Sequence, residues 1–325
     1  MDLYFTSHFF SWFWVFISRI PVLITGQYSH LYPDEIQLFV MALFAISSSF
    51  LGVFLVLKRL TMMANAISHT MLLGIVLAFI LSPSHAPSEW LVVAAALAVA
   101  LLTGVFIQEL SRVWCVKEDA SNGIVFSSLF ALGITALSLW SRNTHAGPEL
   151  LMGNPDALQE RDIFLVAVVA ISALFTGIIF IRGFTMAIFD PTFATVSGFM
   201  PALFSHIMLA QVALTTVSAF RAVGFVMTLS FFVIPPLIAR RLTSTLVSML
   251  FCSVGVSLFS IIISVALARH LFSTLYLPVS TGALAAVLLG GVYIGLLGFE
   301  TVVCKPKLRP TSRLNRSGLH YIQNQ

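Results

Sequence analysis

The chain has 325 residues, of which 58% are hydrophobic and only 9% are charged, and its formal net charge is +4. Soluble domains carry about 25% charged residues, so this composition excludes an ordinary soluble globular domain. Several stretches contain the roughly 20 apolar residues that cross a hydrocarbon core, which indicates a polytopic membrane protein. The small positive charge does not indicate nucleic-acid binding, because basic residues in membrane proteins mostly set orientation.

The first 35 residues are predicted to form an N-terminal extension. Their aromatic-rich segment 9–24 lacks the basic start and the small-residue cleavage site of a signal peptide. We therefore expect residues 1–35 to contain an interfacial helix or a short extra span. A transmembrane domain over 36–304 and a basic cytoplasmic tail over 305–325 follow.

Nine apolar stretches predict an all-α integral membrane bundle of about eight to nine transmembrane helices. Two of them, on either side of Arg221, leave little room for a loop, so this pair is either two spans or one broken or re-entrant helix. The predicted spans are 36–57, 62–81, 89–108, 122–140, 163–181, 203–220, 222–240, 247–268 and 280–300.

Lysine and arginine residues predict the orientation of this bundle. If the loop after the first span is cytoplasmic, twelve of the 17 basic residues lie inside the cell. The C-terminal tail then also lies inside. The five basic residues on the outer side are Arg19, Arg142, Arg161, Arg221 and Arg269.

The second predicted span begins with a polar pair, Asn65 and His69. Residues four positions apart lie on one face of a helix, one turn apart. Polar groups inside a membrane are costly and usually face a bundle interior or a water-filled path. An imidazole nitrogen and an amide oxygen are possible ligands of Mn, Fe or Zn, but one helix offers only two donors, whereas a dimer would offer four. The alternative is structural: His69 hydrogen-bonds across helices and Asn65 caps the helix start.

A second motif lies between two spans near residues 190–198. Asp190 is a good N-cap, Pro191 fits the first helical position, and Gly198 fits a left-handed helix end. This pattern predicts a helix of about two turns at the cytoplasmic side. Such a helix is either a docking element for another protein or a plain connecting turn.

Two further features of the sequence concern helix packing in the last span and enzymatic activity. Gly291 and Gly295 form a small-xxx-small pair, which predicts close approach of another helix. The sequence lacks a GxxxxGK[ST] phosphate loop, an HExxH zinc motif and a GxSxG motif. We therefore expect no enzymatic activity, and any ATP hydrolysis must occur on a separate subunit.

These segments resemble the permease subunits of ABC importers of manganese, zinc and iron, the ABC-3 type. The motifs occur in order over about residues 36–300. The resemblance implies a permease fold of the type II importer class, a bacterial inner-membrane location, and two permease subunits around a central path through the lipid bilayer. The resembling segments are 51–59, 65–69, 189–194, 221–224 and 234–241.

The resemblance also implies partners and a cargo. A solute-binding protein would deliver a divalent metal ion (Mn, Zn or Fe), and cytoplasmic ATPase subunits would drive its transport. The metal would be transported and not bound as a permanent cofactor. The coupling helix that contacts the ATPase would carry Asp190, Pro191, Phe193 and Gly198.

The same resemblance places Asn65 and His69 on the metal-coordinating Asp and His of a family motif of the form DALSH. Here the sequence departs from that motif, because position 65 is Asn. A symmetric homodimer would then supply no carboxylate to a desolvated divalent ion. We therefore hypothesise a second permease subunit that is a paralogue retaining the Asp. The alternative functions are a permease for iron–siderophore or vitamin B12 chelates and a secondary transporter.

Overall fold

The computed structural model describes residues 32–82, 88–140, 158, 160–275 and 279–303, together with Trp14 and Ser18. Within these ranges the chain folds into ten helices without a strand. The helices are α1 (Pro33–Lys58), α2 (Thr61–Leu81), α3 (Glu89–Arg112), α4 (Glu118–Trp140), α5 (Glu160–Ile179), α6 (Ile181–Phe189), α7 (Pro191–Val196), α8 (Pro201–Leu242), α9 (Leu246–Leu275) and α10 (Thr281–Val303).

Eight of these helices, all except α6 and α7, contain a stretch long and apolar enough to cross a membrane. The predicted all-α, multi-pass membrane fold is therefore confirmed. Apart from Trp14 and Ser18, the predicted interfacial segment 9–24 lies outside the described residues, and so does the basic tail 305–325.

Local signals set both ends of α1. Pro33 occupies the first turn, and the Glu35 carboxylate accepts a hydrogen bond of 3.1 Å from the backbone N–H of Tyr32. At the other end Arg59 adopts a left-handed conformation with φ of 63°. The backbone N–H of Leu60 then bonds to the Leu55 carbonyl at 2.9 Å. This turn ends α1 and sends the chain directly into α2.

The core of the bundle is the contact between α1 and α8. The Phe44 ring on α1 lies 6.0 Å from that of Phe231 and 6.4 Å from that of Phe232. A Cβ at Gly52 would lie 2.3 Å from the Phe232 carbonyl oxygen, so only glycine allows this approach of the two backbones. In a membrane such contacts stabilise helix pairs through van der Waals packing.

The α8 segment spans 42 residues and is sharply bent. Near its start Ser205 accepts a hydrogen bond from Lys58, and further along Phe232 packs on Gly52. Lys58 and Gly52 are six residues apart on α1, so these contacts leave Ser205 and Phe232 within roughly 25 Å of each other. A straight helix of that length would separate them by about 40 Å. The bend lies between Ser205 and Phe232, the interval in which the sequence predicts a break near Arg221.

We call the end of the bundle at Lys58 the inner end and the end at Asp34 the outer end. At the outer end Arg269 on α9 pairs with Asp34, and the Gln37 amide donates a hydrogen bond of 2.6 Å to Thr281 Oγ1 on α10. These contacts fix α9 and α10 to the start of α1. Arg269 thus lies at the outer end and Lys58 at the inner end, on opposite sides of the membrane as the predicted orientation requires.

Two features differ from the sequence predictions. The helix α6 was not expected; it packs on the start of α8, where a Cβ at Gly183 would lie 2.4 Å from the Phe204 ring. The close approach predicted at Gly291 and Gly295 is wrong for the described chain, since a Cβ at either position would meet no described atom within 4 Å. These glycines lie on an open face of α10.

The two arginine–carboxylate pairs predict different stability effects. Arg269→Ala removes the arginine partner of the Asp34 carboxylate, which is only 6% exposed. Breaking a buried ion pair costs about 3–5 kcal/mol. We expect a fall of several degrees in the apparent Tm of the detergent-solubilised protein. Arg241→Ala, the control, removes a largely exposed pair with Glu300 and should hardly change the Tm. Equal shifts in the two variants would contradict this assignment.

Candidate functional site

The helix α2 carries the predicted polar pair in its first three turns. It begins after the N-cap residue Leu60, so Asn65 lies inside the helix and caps nothing. The predicted alternative in which Asn65 caps the helix start is therefore wrong. Asn65 and His69 are both half-buried and lie one turn apart on the same face.

Contacts with α3 hold one face of α2 in place. The hydroxyls of Thr70 and Thr103 are 2.7 Å apart and hydrogen-bonded in the buried interface. A Cβ at Gly74 would lie 2.5 Å from the Ala95 carbonyl oxygen, so the two backbones are in close contact. This rigid pairing fixes the rotation of α2 and thereby the direction of its polar face.

The His69 ring packs against two phenylalanines of α4. Its centroid lies 5.3 Å from the centroid of Phe126 and 5.3 Å from that of Phe130. The two phenylalanine rings are themselves stacked, 5.5 Å apart with an interplanar angle of 17°. The aromatic pair restrains the orientation of the imidazole at the seam between α2 and α4.

Asn65 differs from its polar neighbours in its hydrogen bonding. Its Oδ1 atom is buried and has no hydrogen-bond partner among the described residues. Ser68, by contrast, donates to the Ala64 carbonyl at 2.8 Å. Leaving a buried acceptor unsatisfied costs about 1–3 kcal/mol. The Asn65 oxygen is therefore available to a water molecule or a cation.

One subunit does not provide a complete metal site in the described part of the chain. There, no three His, Cys, Asp or Glu side chains are grouped so that they could hold a metal ion. Asn65 and His69 supply one oxygen and one nitrogen donor, which is too few to replace the hydration shell of a divalent ion. A site built on this pair needs donors from a second subunit.

The predicted capped helix near 190–198 is present as α7. Asp190 Oδ1 accepts a hydrogen bond of 2.9 Å from the backbone N–H of Phe193, and Pro191 occupies the first turn. Gly198 has a φ of +82°, the left-handed conformation, and the Phe199 N–H bonds to the Ala194 carbonyl at 2.9 Å. The local geometry is as predicted, and its docking role stays a prediction.

The side chains of α7 divide into two faces. Ala194 is fully buried against the bundle, whereas Phe193 is 55% exposed and Val196 is 83% exposed. Phe189, at the end of α6, is also exposed. Phe189, Phe193 and Val196 thus form a group of exposed apolar side chains at the inner end.

The sequence analysis missed the α4 side of this seam. Phe126 and Phe130 are four residues apart, and Asn122 stands one turn before Phe126, so all three share one face of α4. That spacing was readable in the sequence. Which helix this face contacts was not, because it depends on the packing of α4 beside α2.

The fold and the buried polar pair define a multi-pass membrane protein. The chain belongs to the ABC 3 transport family, whose model matches residues 36–300. It is 39% identical over 298 residues to a "Probable metal transport system membrane protein" of Chlamydia muridarum, covering 90% of this chain and 93% of the relative. The predicted family and membrane location are thereby confirmed.

Other relatives carry names with different metals. The chain is 33% identical to "Manganese transport system membrane protein MntD" of Bacillus subtilis, over 82% of this chain and 92% of the relative. It is 30% identical to a "Probable iron transport system membrane protein" of Haemophilus influenzae, over 79% and 90%. A solved structure titled "PsaBC from Streptococcus pneumoniae in complex with Fab" has the same fold, with a TM-score of 0.69, 22% identity, and coverage of 85% of this chain and 94% of that one.

The unsatisfied oxygen of Asn65 predicts an unusual stability effect. Asn65→Leu replaces a buried, unpaired amide with an apolar group of similar size. We expect the apparent Tm in detergent to stay equal or to rise, because a desolvation cost of about 1–3 kcal/mol disappears. The matched control is Gln37→Leu, which removes a buried amide that is hydrogen-bonded to Thr281 and should lower the Tm. A Tm loss in Asn65→Leu as large as in the control would show that Asn65 is a structural residue.

Proposed function

We propose that this chain is the permease subunit of an ABC importer of divalent transition metal ions (Mn, Zn or Fe). A solute-binding protein delivers the metal to the outer end, and separate ATPase subunits at the inner end drive transport. The observation that carries the proposal is the polar pair on α2, in which an unsatisfied Asn65 oxygen lies one turn from His69 inside an apolar bundle. Relatives named for manganese and iron transport support the class of cargo.

The chemistry of the pair suits a metal in transit. A neutral imidazole is a good ligand for Mn, Fe and Zn, and an amide oxygen is a weaker one. Phe126 and Phe130 restrain the His69 ring at the seam. The pair binds too weakly alone to trap the ion, and two subunits together bring four donors to the path.

The identity of residue 65 supports an asymmetric pair of permeases. Two copies of this chain would offer two imidazoles and two amides, with no carboxylate to offset the charge of a desolvated cation. We propose that the second permease is a paralogue that contributes an Asp at the equivalent position. Purified complex that contains only this permease and transports metal at a normal rate would contradict the asymmetry and leave the importer function intact.

The helix α7 is the proposed contact with the ATPase. The cap at Asp190, the proline at 191 and the left-handed Gly198 hold the helix in a fixed position at the inner end. Its exposed side chain at Phe193 then points away from the bundle toward a groove on the partner. A rigid element of this kind transmits movement of the ATPase to α6 and α8 beside it.

The metal path predicts the behaviour of His69→Ala. In proteoliposomes that contain the full complex, we expect uptake of radioactive Mn²⁺ or Zn²⁺ to fall to background, because the only nitrogen donor of the pair is removed. Assembly with the ATPase and the yield of complex should stay normal. Thr216→Val is the control, since it changes a buried hydroxyl on α8 that donates only to the Val212 carbonyl of its own helix. Wild-type uptake in His69→Ala would remove this residue from the path.

The docking role of α7 predicts a separate defect. Phe193→Ser removes an exposed aromatic side chain and should leave the Tm of the isolated subunit unchanged. Loss of an aromatic anchor typically costs about 2 kcal/mol or more of binding energy, so retention of the ATPase during co-purification should fall at least about ten-fold.

Val247→Ser serves as the control for this experiment, because Val247 is an equally exposed apolar residue near the inner end of α9. It should retain the ATPase at the wild-type level. If Phe193→Ser also retains it, α7 is a connecting turn and the contact lies elsewhere.

A further inference from the structure

The first turn of α4 contains two buried polar side chains with no evident partner. Ser121 is 0% exposed and Asn122 is 6% exposed. Neither Ser121 Oγ nor Asn122 Oδ1 has a hydrogen-bond partner among the described residues. Ser127 and Ser128, on the same helix, donate to backbone carbonyls in the usual way, at 2.7 Å to Gly123 and 2.7 Å to Ile124. Ser121 and Asn122 are therefore exceptions within their own helix.

The packing of α2 on α4 places Asn122 next to Asn65. Both α2 and α4 run from the inner to the outer end, and His69 contacts Phe126 and Phe130. One turn beyond His69, at Leu73, a Cβ at Gly133 would lie 3.1 Å from the backbone nitrogen, which gives the same offset of about 60 residues between the helices.

The same offset gives the heights along the helix axes of the residues nearer the inner end. Asn65, one turn inward of His69, is level with about residue 125 of α4. Asn122 shares the face of Phe126 and lies about one turn further inward, within roughly 5 Å along the axis. We call Asn65 and Asn122 the inner polar cluster.

The energetics of the inner polar cluster indicate a bound species. Two buried amide oxygens, Asn65 Oδ1 and Asn122 Oδ1, lack partners in the seam between α2 and α4. Each such group costs about 1–3 kcal/mol if nothing binds it. Buried polar groups of this kind are normally satisfied by water or by an ion.

We infer that the inner polar cluster is a second station of the metal path, where a divalent cation that keeps part of its hydration shell pauses between His69 and the inner end. This inference rests on the proposed function. The donors are neutral oxygens without a carboxylate, so binding is weak. Weak binding suits a station on the release side, because a conducting path must let the ion leave.

The charges beyond the cluster are consistent with an exit there. Glu118 lies one turn before Asn122 on the same face of α4 and is exposed at the inner end. Lys58 would repel a cation, but its amine is held by a hydrogen bond to Ser205 on α8. From His69 inward, the ion thus meets the oxygen donors of the inner polar cluster and then the Glu118 carboxylate at the surface.

The test measures transport by the full complex in proteoliposomes, with radioactive Mn²⁺ and, separately, Zn²⁺ as the probe. Asn122→Leu should lower the maximal uptake rate about ten-fold. This is the change in rate expected when one contact between the ion and an amide dipole is lost. The KM for the metal should stay unchanged, because the first site is intact. Asn122→Asp adds a charge, so it should slow release and raise the amount of Mn²⁺ retained by the purified complex.

Two control variants distinguish loss of the second station from other causes of reduced metal uptake. Gln211→Leu removes a buried amide elsewhere, which accepts from Ser172 at 3.3 Å, and should transport normally. His69→Ala tests the proposed function itself. Wild-type uptake in Asn122→Leu, with uptake lost in His69→Ala, overturns the second station alone. Wild-type uptake in both variants overturns the proposed path and the station with it. Parallel loss of uptake, complex yield and basal ATP hydrolysis in Asn122→Leu would assign a structural role and also overturn the station.

Discussion

The constraint on which this structure depends is that polar groups inside a bilayer must find partners within the protein. Most of the described ones do. Asp34 pairs with Arg269, Gln37 with Thr281, and many serines and threonines donate to a carbonyl on their own helix. Among the exceptions, Asn65 and Asn122 lie in the seam of α2 and α4, Ser121 lies beside Asn122 in the chain, and Ser49 lies on α1. A path for a cation requires this pattern, with satisfied groups holding the helices and unsatisfied ones facing the ion.

The packing of α1 and α8 determines where that seam lies. Gly52 allows the two backbones to touch, and the bend of α8 brings its start back to Lys58 at the end of α1. The turn at Arg59 then directs α2 outward along α3 and α4. α6 and α7 pack at the start of α8, at the inner end of the bundle.

Local features were predictable from the sequence, and features that depend on packing were not. The cap at Asp190, the left-handed Gly198 and the shared face of Asn65 and His69 follow from neighbours within one or two turns. The sequence could not tell which face Gly291 would present, and the predicted close approach was wrong. α6 was missed because nine residues are too few for a span, and the role of Asn122 needed the register of α4 against α2. The functional roles of Asn65, His69 and α7 stay proposals.

The most direct test of the account is the solvent accessibility of the seam in the assembled complex. After the three native cysteines are replaced by serine, single cysteines are introduced by Asn65→Cys, Asn122→Cys and, in the seam between α1 and α9, Ser253→Cys. The account predicts that a positively charged, water-soluble thiol reagent modifies the first two positions, that Mn²⁺ slows this reaction, and that position 253 stays unmodified. Modification at 253 with none at 65 or 122 would place the path between other helices and contradict the central claim.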